Sequence, residues 1–375
     1  MNPAPIRRFW FLLLLIFLFT LLSVTVFSEE RPRTSARSAA LYEARAGLAL
    51  IEHNADERLP MASTTKIMTA LVALEEASPD TVVTVPAEAV GIEGSSLYLR
   101  EGERFTVEEL LYGLMLRSAN DAACALAYAV AGSVEAFCEK MNGRAAALGL
   151  ENTHFENPHG LDDEEHYTTA RELTRLACEA MKNDTFRTIV STQTRRIGEG
   201  DSVRVLTNHN KMLRLYDGAI GVKTGFTKRS GRCLVSAAER DGVLLIATTI
   251  DAPNDWSDHT AMLDYGFRTV VCRTEAEAGT HTYEVPVLGG KEASVTVTNR
   301  EGFSHVVYRT DAPLTCEVKL TRFAAAPVTK GDILGTVTFY KDGECLSTLP
   351  LRATQDVAAA TQRRRFFGFL QNRTA

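Results

Sequence analysis

The chain has 375 residues, 45% of them hydrophobic and 23% charged, the balance of a folded protein too long for one compact domain. Its formal net charge of -6 gives no reason to expect nucleic acid as a partner. With no His-Glu-x-x-His and no clustered Cys and His, neither a metal nor a cofactor is expected.

Residues 1–28 stand apart from the rest. Arg7 and Arg8 precede an uncharged, mostly apolar run from Phe9 to Phe27 of about 19 residues, long for a signal peptide and near the minimum for a membrane span. A cleaved signal and a retained membrane anchor both fit, and either one exports the bulk of the chain. Residues 29–38 read as a polar linker. Ala40–Glu43 and Leu48–Ile51 then read as two short strands around Ala46-Gly47.

Entered through Pro60, the next run reads as a helix carrying Ser63 and Lys66. Residues three apart share a helix face, so this hydroxyl and amine point into one space. Ile67, Met68, Leu71, Val72 and Leu74 cover much of the helix circumference, the mark of a buried helix. Burial disfavours an ammonium, and a neutral amine beside a serine is a base beside a nucleophile. Alone, Ser-x-x-Lys is a chance-prone spacing.

A strand over Val82–Val85 comes next. Thr106 with Glu109 forms a capping-box sequence, opening a helix that runs through Leu116. A second helical run covers Ala122–Ala131, which leaves Ser118 and Asn120 in a tight polar connection. Locally that connection reads as a helix cap, with a working site as the alternative. Helices over Val134–Leu148 and Thr169–Lys182 flank a polar loop centred on Asn157-Pro158-His159-Gly160. The pattern then turns to strands. Gly221-Val222-Lys223-Thr224-Gly225 is one, and Cys233–Ala238 with Val243–Ile250 flank the hairpin signal Asp241-Gly242. A helix around His259–Gly266 closes a region expected to build one sheet from both chain ends.

From about Glu275 short strands recur at regular spacing, an all-β pattern without catalytic residue types. In the tail, Arg363, Arg364 and Arg365 precede Phe366, Phe367 and Phe369, which suits an anionic membrane surface, or else a disordered basic tail. The seven cysteines are read mostly as small buried apolar residues. Cys316 with Cys345 is the pair to test for a disulfide. His154, His159, His166 and His209 have no triad spacing; His159 is read as structuring its loop, and Lys66 fills the base role.

Ser63-Thr64-Thr65-Lys66, Ser118-Ala119-Asn120 and Lys223-Thr224-Gly225 thus stand in order, the motif set of penicillin-binding proteins and class A β-lactamases. With Asn157-Pro158-His159-Gly160-Leu161 and Asp264-Tyr265-Gly266-Phe267, the chain resembles the low-molecular-mass penicillin-binding proteins that are D-alanyl-D-alanine carboxypeptidases. The resemblance implies an α/β (α+β) transpeptidase/β-lactamase-like domain over 39–274, an antiparallel sheet flanked by helices with an all-helical subregion. It places a small β-sandwich-like domain over 275–350 and a tail over 351–375 after that.

It also implies roles. Ser63 attacks a D-Ala-D-Ala peptide bond of a peptidoglycan stem, Lys66 takes its proton, and Ser118 relays a proton to the leaving D-alanine. Asn120 holds Lys66 and the substrate backbone. Lys223 and Thr224 meet the substrate carboxylate, Gly225 permits close approach, and the N–H groups of Ser63 and Phe226 form an oxyanion hole. β-Lactams would be covalent inhibitors, at the extracytoplasmic face of the cell membrane. Two departures stand out: the middle motif is Ser-Ala-Asn, and after Ala252-Pro253 no arginine is evident for the carboxylate. A cross-link endopeptidase, a β-lactamase and a non-catalytic penicillin sensor are the alternatives. The absence of Glu-x-x-Leu-Asn between Asn120 and Lys223 argues against the lactamase.

Overall fold

The computed structural model describes residues 31–360; the N-terminal apolar segment and the basic aromatic stretch of the tail lie outside them. The first strands are β1 (Ser38–Glu43) and β2 (Leu48–His53). All six residues of β1 are buried, so this strand is central to its sheet. A four-residue 3-10 turn, Ala62–Thr65, leads into α1 (Lys66–Glu76), whose first eight residues are buried. Here the structure departs from the expected helix. Ser63 precedes α1 instead of lying within it, because Ala62 is held in left-handed backbone, φ +48°, with Gly160 pressed against its carbonyl.

A small ribbon of β3 (Val82–Thr84) and β4 (Arg104–Thr106) precedes α2 (Val107–Arg117). The capping box is present in full: Glu109 N–H donates to Thr106 Oγ1 at 3.1 Å, and Thr106 N–H to the Glu109 carboxylate at 2.9 Å. Ser118, left-handed at φ +62°, ends α2, and α3 (Asn120–Ala131) starts two residues later. Next come α4 (Val134–Ala147), α5 (Ala170–Ala180) and α6 (Asp184–Ser191), then a ribbon of β5 (Thr194–Ile197) and β6 (Arg204–Thr207). The short α7 (Met212–Leu215) precedes the long strands β7 (Ala219–Thr227), β8 (Gly231–Arg240) and β9 (Val243–Ile250). Asp241 and Gly242 both have positive φ, as a two-residue hairpin turn requires. Helix α8 (Asp255–Thr269) extends the expected His259–Gly266 segment at both ends.

The sheet order is β2-β1-β9-β8-β7, all antiparallel, so strands from both ends of this region meet at β1 and β9. One face packs on the helical region, through residues such as Ile67, Leu110, Cys233 and Val235. The other packs on α7 and α8, through Leu234, Leu245, Met262 and Leu263. Strand β7 is an edge. Among the described residues no single helix is long and apolar enough to cross a membrane.

The all-β part begins with β10 (Val270–Ala276), which pairs with β13 (Phe303–Tyr308). A six-stranded sheet, β14-β16-β17-β12-β11-β15, is formed by β11 (Thr282–Leu288), β12 (Ser294–Asn299), β14 (Thr315–Leu320), β15 (Ala324–Ala325), β16 (Ile333–Lys341) and β17 (Glu344–Ala353). Val285, Val297, Val337, Phe339 and Leu351 fill its core. The pairing continues past residue 350, with bridges at Val357 and Ala359, beyond the start expected for the tail. Cys316 and Cys345 are free and exposed. Both strands flank β16, where Cys316 lies opposite Phe339 and Cys345 opposite Tyr340, so a whole strand separates the thiols and no bond spans it. Of the seven cysteines, Cys124, Cys138 and Cys233 are buried as small apolar residues.

Candidate active site

The site is assembled where the 62–65 turn meets the edge strand β7. Three contacts shape that turn. A Cβ on Gly160 would lie 1.9 Å from the Ala62 carbonyl oxygen, so only glycine admits the polar loop this close. A Cβ on Gly225 would lie 3.1 Å from both Ala62 Cβ and Ser63 N, so the absence of a side chain lets β7 lie against the Ser63 backbone. Within the turn, Thr64 Oγ1 donates to the Met61 carbonyl at 2.6 Å.

Lys66, the first residue of α1, is wholly buried. Its Nζ lies 3.1 Å from Ser63 Oγ, 2.7 Å from Asn120 Oδ1 and 2.5 Å from the His159 carbonyl oxygen. The last two are acceptors only, so they take two amine hydrogens and aim the third position of nitrogen at Ser63. Burial is the largest cause of a Lys66 pKa well below the usual lysine value; the Lys223 charge adds to it, and Cys124 and Asp121 oppose. An amine neutral in this setting has its lone pair directed at the Ser63 hydroxyl.

Asn120 is held at both ends. Its Oδ1 faces Lys66, while its Nδ2 donates to the Glu93 carbonyl at 2.5 Å and its backbone N–H to Ser95 O at 2.7 Å. Next to it Asp121 receives Leu97 N–H, Leu99 N–H and Ser96 Oγ–H, so the 93–99 loop is fastened over the start of α3. Ser118 is 6% exposed at the left-handed end of α2, two residues from the asparagine that grips Lys66. The backbone reversal that ends α2 thus also sets Ser118 next to the start of α3.

Lys223 is 1% exposed, and burial pushes its pKa down to about 7. Its Nζ donates to the Thr224 carbonyl at 2.8 Å. Lys223 lies opposite Val235, whose side chain joins the core on the helical face, so the ammonium is on the Ser63 side of the sheet. Thr224 lies opposite Leu234 and Phe226 opposite Arg232, on the α8 face. Phe226 is 66% exposed.

The run after Ala252-Pro253, where an arginine was sought, instead holds Asp255, which grips Arg232 from β8, with Nη2 2.9 Å from Oδ2 and Trp256 beneath the guanidinium. A cation is therefore present on the Thr224 face, supplied by a strand instead of the helix start.

Sequence alone does not single out the backbone partners. The His159 carbonyl on Lys66 and the Pro158 carbonyl, which receives Thr69 Oγ1–H at 2.6 Å, come from the Asn157-Pro158-His159-Gly160 loop. Asn157 Oδ1 folds that loop by accepting from Gly160 N–H at 2.7 Å. The His159 ring accepts from Leu161 N–H at 3.3 Å, and burial lowers its pKa to about 3. It structures its loop; a base is not required of it.

A desolvated amine facing a serine hydroxyl beside an open sheet edge is chemically suited to covalent acyl transfer. Residues 25–254 match the family model described as D-alanyl-D-alanine carboxypeptidase, and residues 273–359 match that of the penicillin-binding protein 5 C-terminal domain. The chain belongs to the D-alanyl-D-alanine carboxypeptidase family, whose character is D,D-carboxypeptidase activity and penicillin binding. It is 33% identical over 365 residues to D-alanyl-D-alanine carboxypeptidase DacF of Bacillus subtilis, covering 93% of this chain and 94% of that one. It is 31% identical over 373 residues to DacC of Escherichia coli, covering 91% and 90% respectively. Penicillin-binding protein 5 from Haemophilus influenzae superposes with a TM-score of 0.64 at 26% identity, over 88% of this chain and 99% of that structure. The Streptomyces K15 DD-transpeptidase superposes with 0.60 at 39% identity, over 64% and 99%.

Proposed function

We propose that Ser63 is the nucleophile and Lys66 the base of a D-alanyl-D-alanine carboxypeptidase acting on peptidoglycan stem peptides. The observation that carries this is the buried Lys66 amine, 3.1 Å from Ser63 Oγ with Asn120 Oδ1 and the His159 carbonyl placed to take both hydrogens of its neutral form. The Ser63 proton passes to Lys66 as Oγ bonds to the carbonyl carbon. The developing oxyanion is met by the N–H groups of Ser63 and Phe226; each such donor is worth about 3 kcal/mol. Collapse breaks the C–N bond, and the proton leaves with D-alanine through Ser118. Water then repeats the sequence on the acyl-enzyme.

The substrate lies as an extra strand along the open edge of β7, where its carboxylate meets the Lys223 charge from one face of the sheet and Thr224 Oγ1 from the other, with Arg232 as a cation on the Thr224 face. A β-lactam acylates the same serine. The N-terminal segment exports the enzyme, as a cleaved signal or a retained anchor, and the β domain serves as a spacer from the membrane. The test is D-alanine release from a pentapeptide stem: wild type releases it and Ser63→Ala does not. Equal release by both would remove Ser63 from the role, and none by wild type would favour a penicillin sensor.

A further inference from the structure

The peptide linking Ala62 to Ser63 carries the Ala62 carbonyl on one edge and the Ser63 N–H on the other. In a trans peptide these two bonds point oppositely, so whatever holds the carbonyl also aims the N–H. The Ala62 oxygen accepts from Thr65 Oγ1–H at 2.9 Å. Thr65 Oγ1 lies 2.7 Å from His166 Nε2. On its other side the imidazole accepts, since Glu156 N–H points at Nδ1 from 3.0 Å. Only one proton arrangement satisfies all three bonds. His166 is neutral with its hydrogen on Nε2, that hydrogen goes to Thr65 Oγ1, and the threonine hydrogen goes to Ala62 O.

Thr65 is fully buried and His166 is 2% exposed, so water does not compete for these groups. The ring packs edge-on against Phe155, with centroids 5.8 Å apart. Burial, the largest cause, lowers the imidazole pKa to about 4; Asp163 opposes it, and His154 and Lys66 act in the same direction as burial, so the ring is neutral. Ala62 is left-handed at φ +48°, a conformation that persists in a non-glycine residue only where its surroundings over-determine it. The hydroxyl on its oxygen, and Gly160 behind it, do so.

We infer that His166 and Thr65 are positioning residues, a relay from the 154–168 loop that holds the Ala62–Ser63 peptide plane and aims the Ser63 N–H at the oxyanion. This rests on the assignment of Ser63 as nucleophile and oxyanion donor. Neither side chain touches substrate, so the relay acts on the transition state and leaves ground-state binding alone.

The experiment is stopped-flow acylation by a fluorescent penicillin, separating the acylation rate constant from the noncovalent binding constant. Thr65→Val keeps the shape and deletes the hydroxyl; Thr65→Ser keeps the hydroxyl; His166→Phe deletes the donor. The expected result is a 10- to 100-fold lower acylation constant in Thr65→Val and His166→Phe, binding changed less than twofold, and Thr65→Ser within threefold of wild type. Because both residues act through one oxygen, the double variant should be no slower than the worse single. Thr65→Val acylating as fast as Thr65→Ser overturns the inference, as do additive effects in the double variant. Should His166→Phe fail to fold, the Thr65 pair decides alone. Wild type that takes no penicillin at all removes the Ser63 assignment and this inference together, whereas fast wild type with fast Thr65→Val removes only the relay.

Discussion

The proposed mechanism gives two lysines of one cleft opposite duties: Lys66 as a neutral base and Lys223 as a cation. Acylation should therefore fall as pH drops through the lowered pKa of Lys66, while productive binding of a carboxylate substrate should weaken as pH rises past about 7, where free Lys223 loses its proton. A bell-shaped kcat/KM profile checks both limbs; a flat profile above pH 7 would remove Lys223 from carboxylate binding. The same residue has a stability consequence. Its folded-state pKa lies below the unfolded value of 10.5, so burying the charged form penalises the fold fully below about pH 7, and the penalty fades as pH rises towards 10.5. Lys223→Met should melt higher than wild type at pH 6, with a smaller difference at pH 9, while losing turnover. Gly160→Ala should do the reverse of stabilising. At φ +89° and against the Ala62 carbonyl, a methyl has no space, and a loss of roughly 2 kcal/mol with slower acylation is expected, read by thermal melting and penicillin labelling.

At the level of elements, three short backbone devices shape the candidate site: the left-handed Ala62 turn, the left-handed Ser118 cap and Gly225 in β7. What could be read along the chain were the side chains close in sequence. The spacing of Ser63 and Lys66, the Thr106 capping box and the Asp241-Gly242 hairpin are local patterns, and the structure contains them. The 3-10 turn under Ser63 was not legible, since its cause lies in Gly160 and Gly225, each about a hundred residues or more away in the chain. The His159 carbonyl and the Thr65–His166 pair escaped for the same reason, and backbone oxygens leave no residue-type signal at all. Arg232 was hidden because its partner Asp255 stands in another element. The capping box separates stability from catalysis: Thr106→Ala should lower stability by about 1 kcal/mol in a urea titration with D-alanine release unchanged. A matching loss of activity in the folded protein would tie the start of α2 to the site.

Across the whole molecule, the sheet order puts β7 at an edge and β1 and β9 inside, so one edge of β7 is left open while its support is fully packed. The β domain is not simply appended. Val306 and Tyr308 of β13 pack with Val270 and the α8-side core, so the first ribbon of that domain shares apolar surface with the catalytic region. Removing residues 276–375 should therefore leave turnover of a soluble pentapeptide nearly intact while lowering the melting temperature. A large loss of turnover at a temperature where the truncated chain is folded would give the β domain a part in catalysis. No linker of distinct composition marks the change of region, because β10 follows α8 directly.

The central claim is that Ser63, activated by a desolvated Lys66, forms a covalent acyl-enzyme. Intact-mass and peptide-map analysis of the protein after incubation with penicillin tests it most directly. A single penicilloyl adduct on the peptide containing Ser63, absent from Ser63→Ala and slowed in Lys66→Met, is the expected result. An adduct on another residue, or none in wild type, would contradict it.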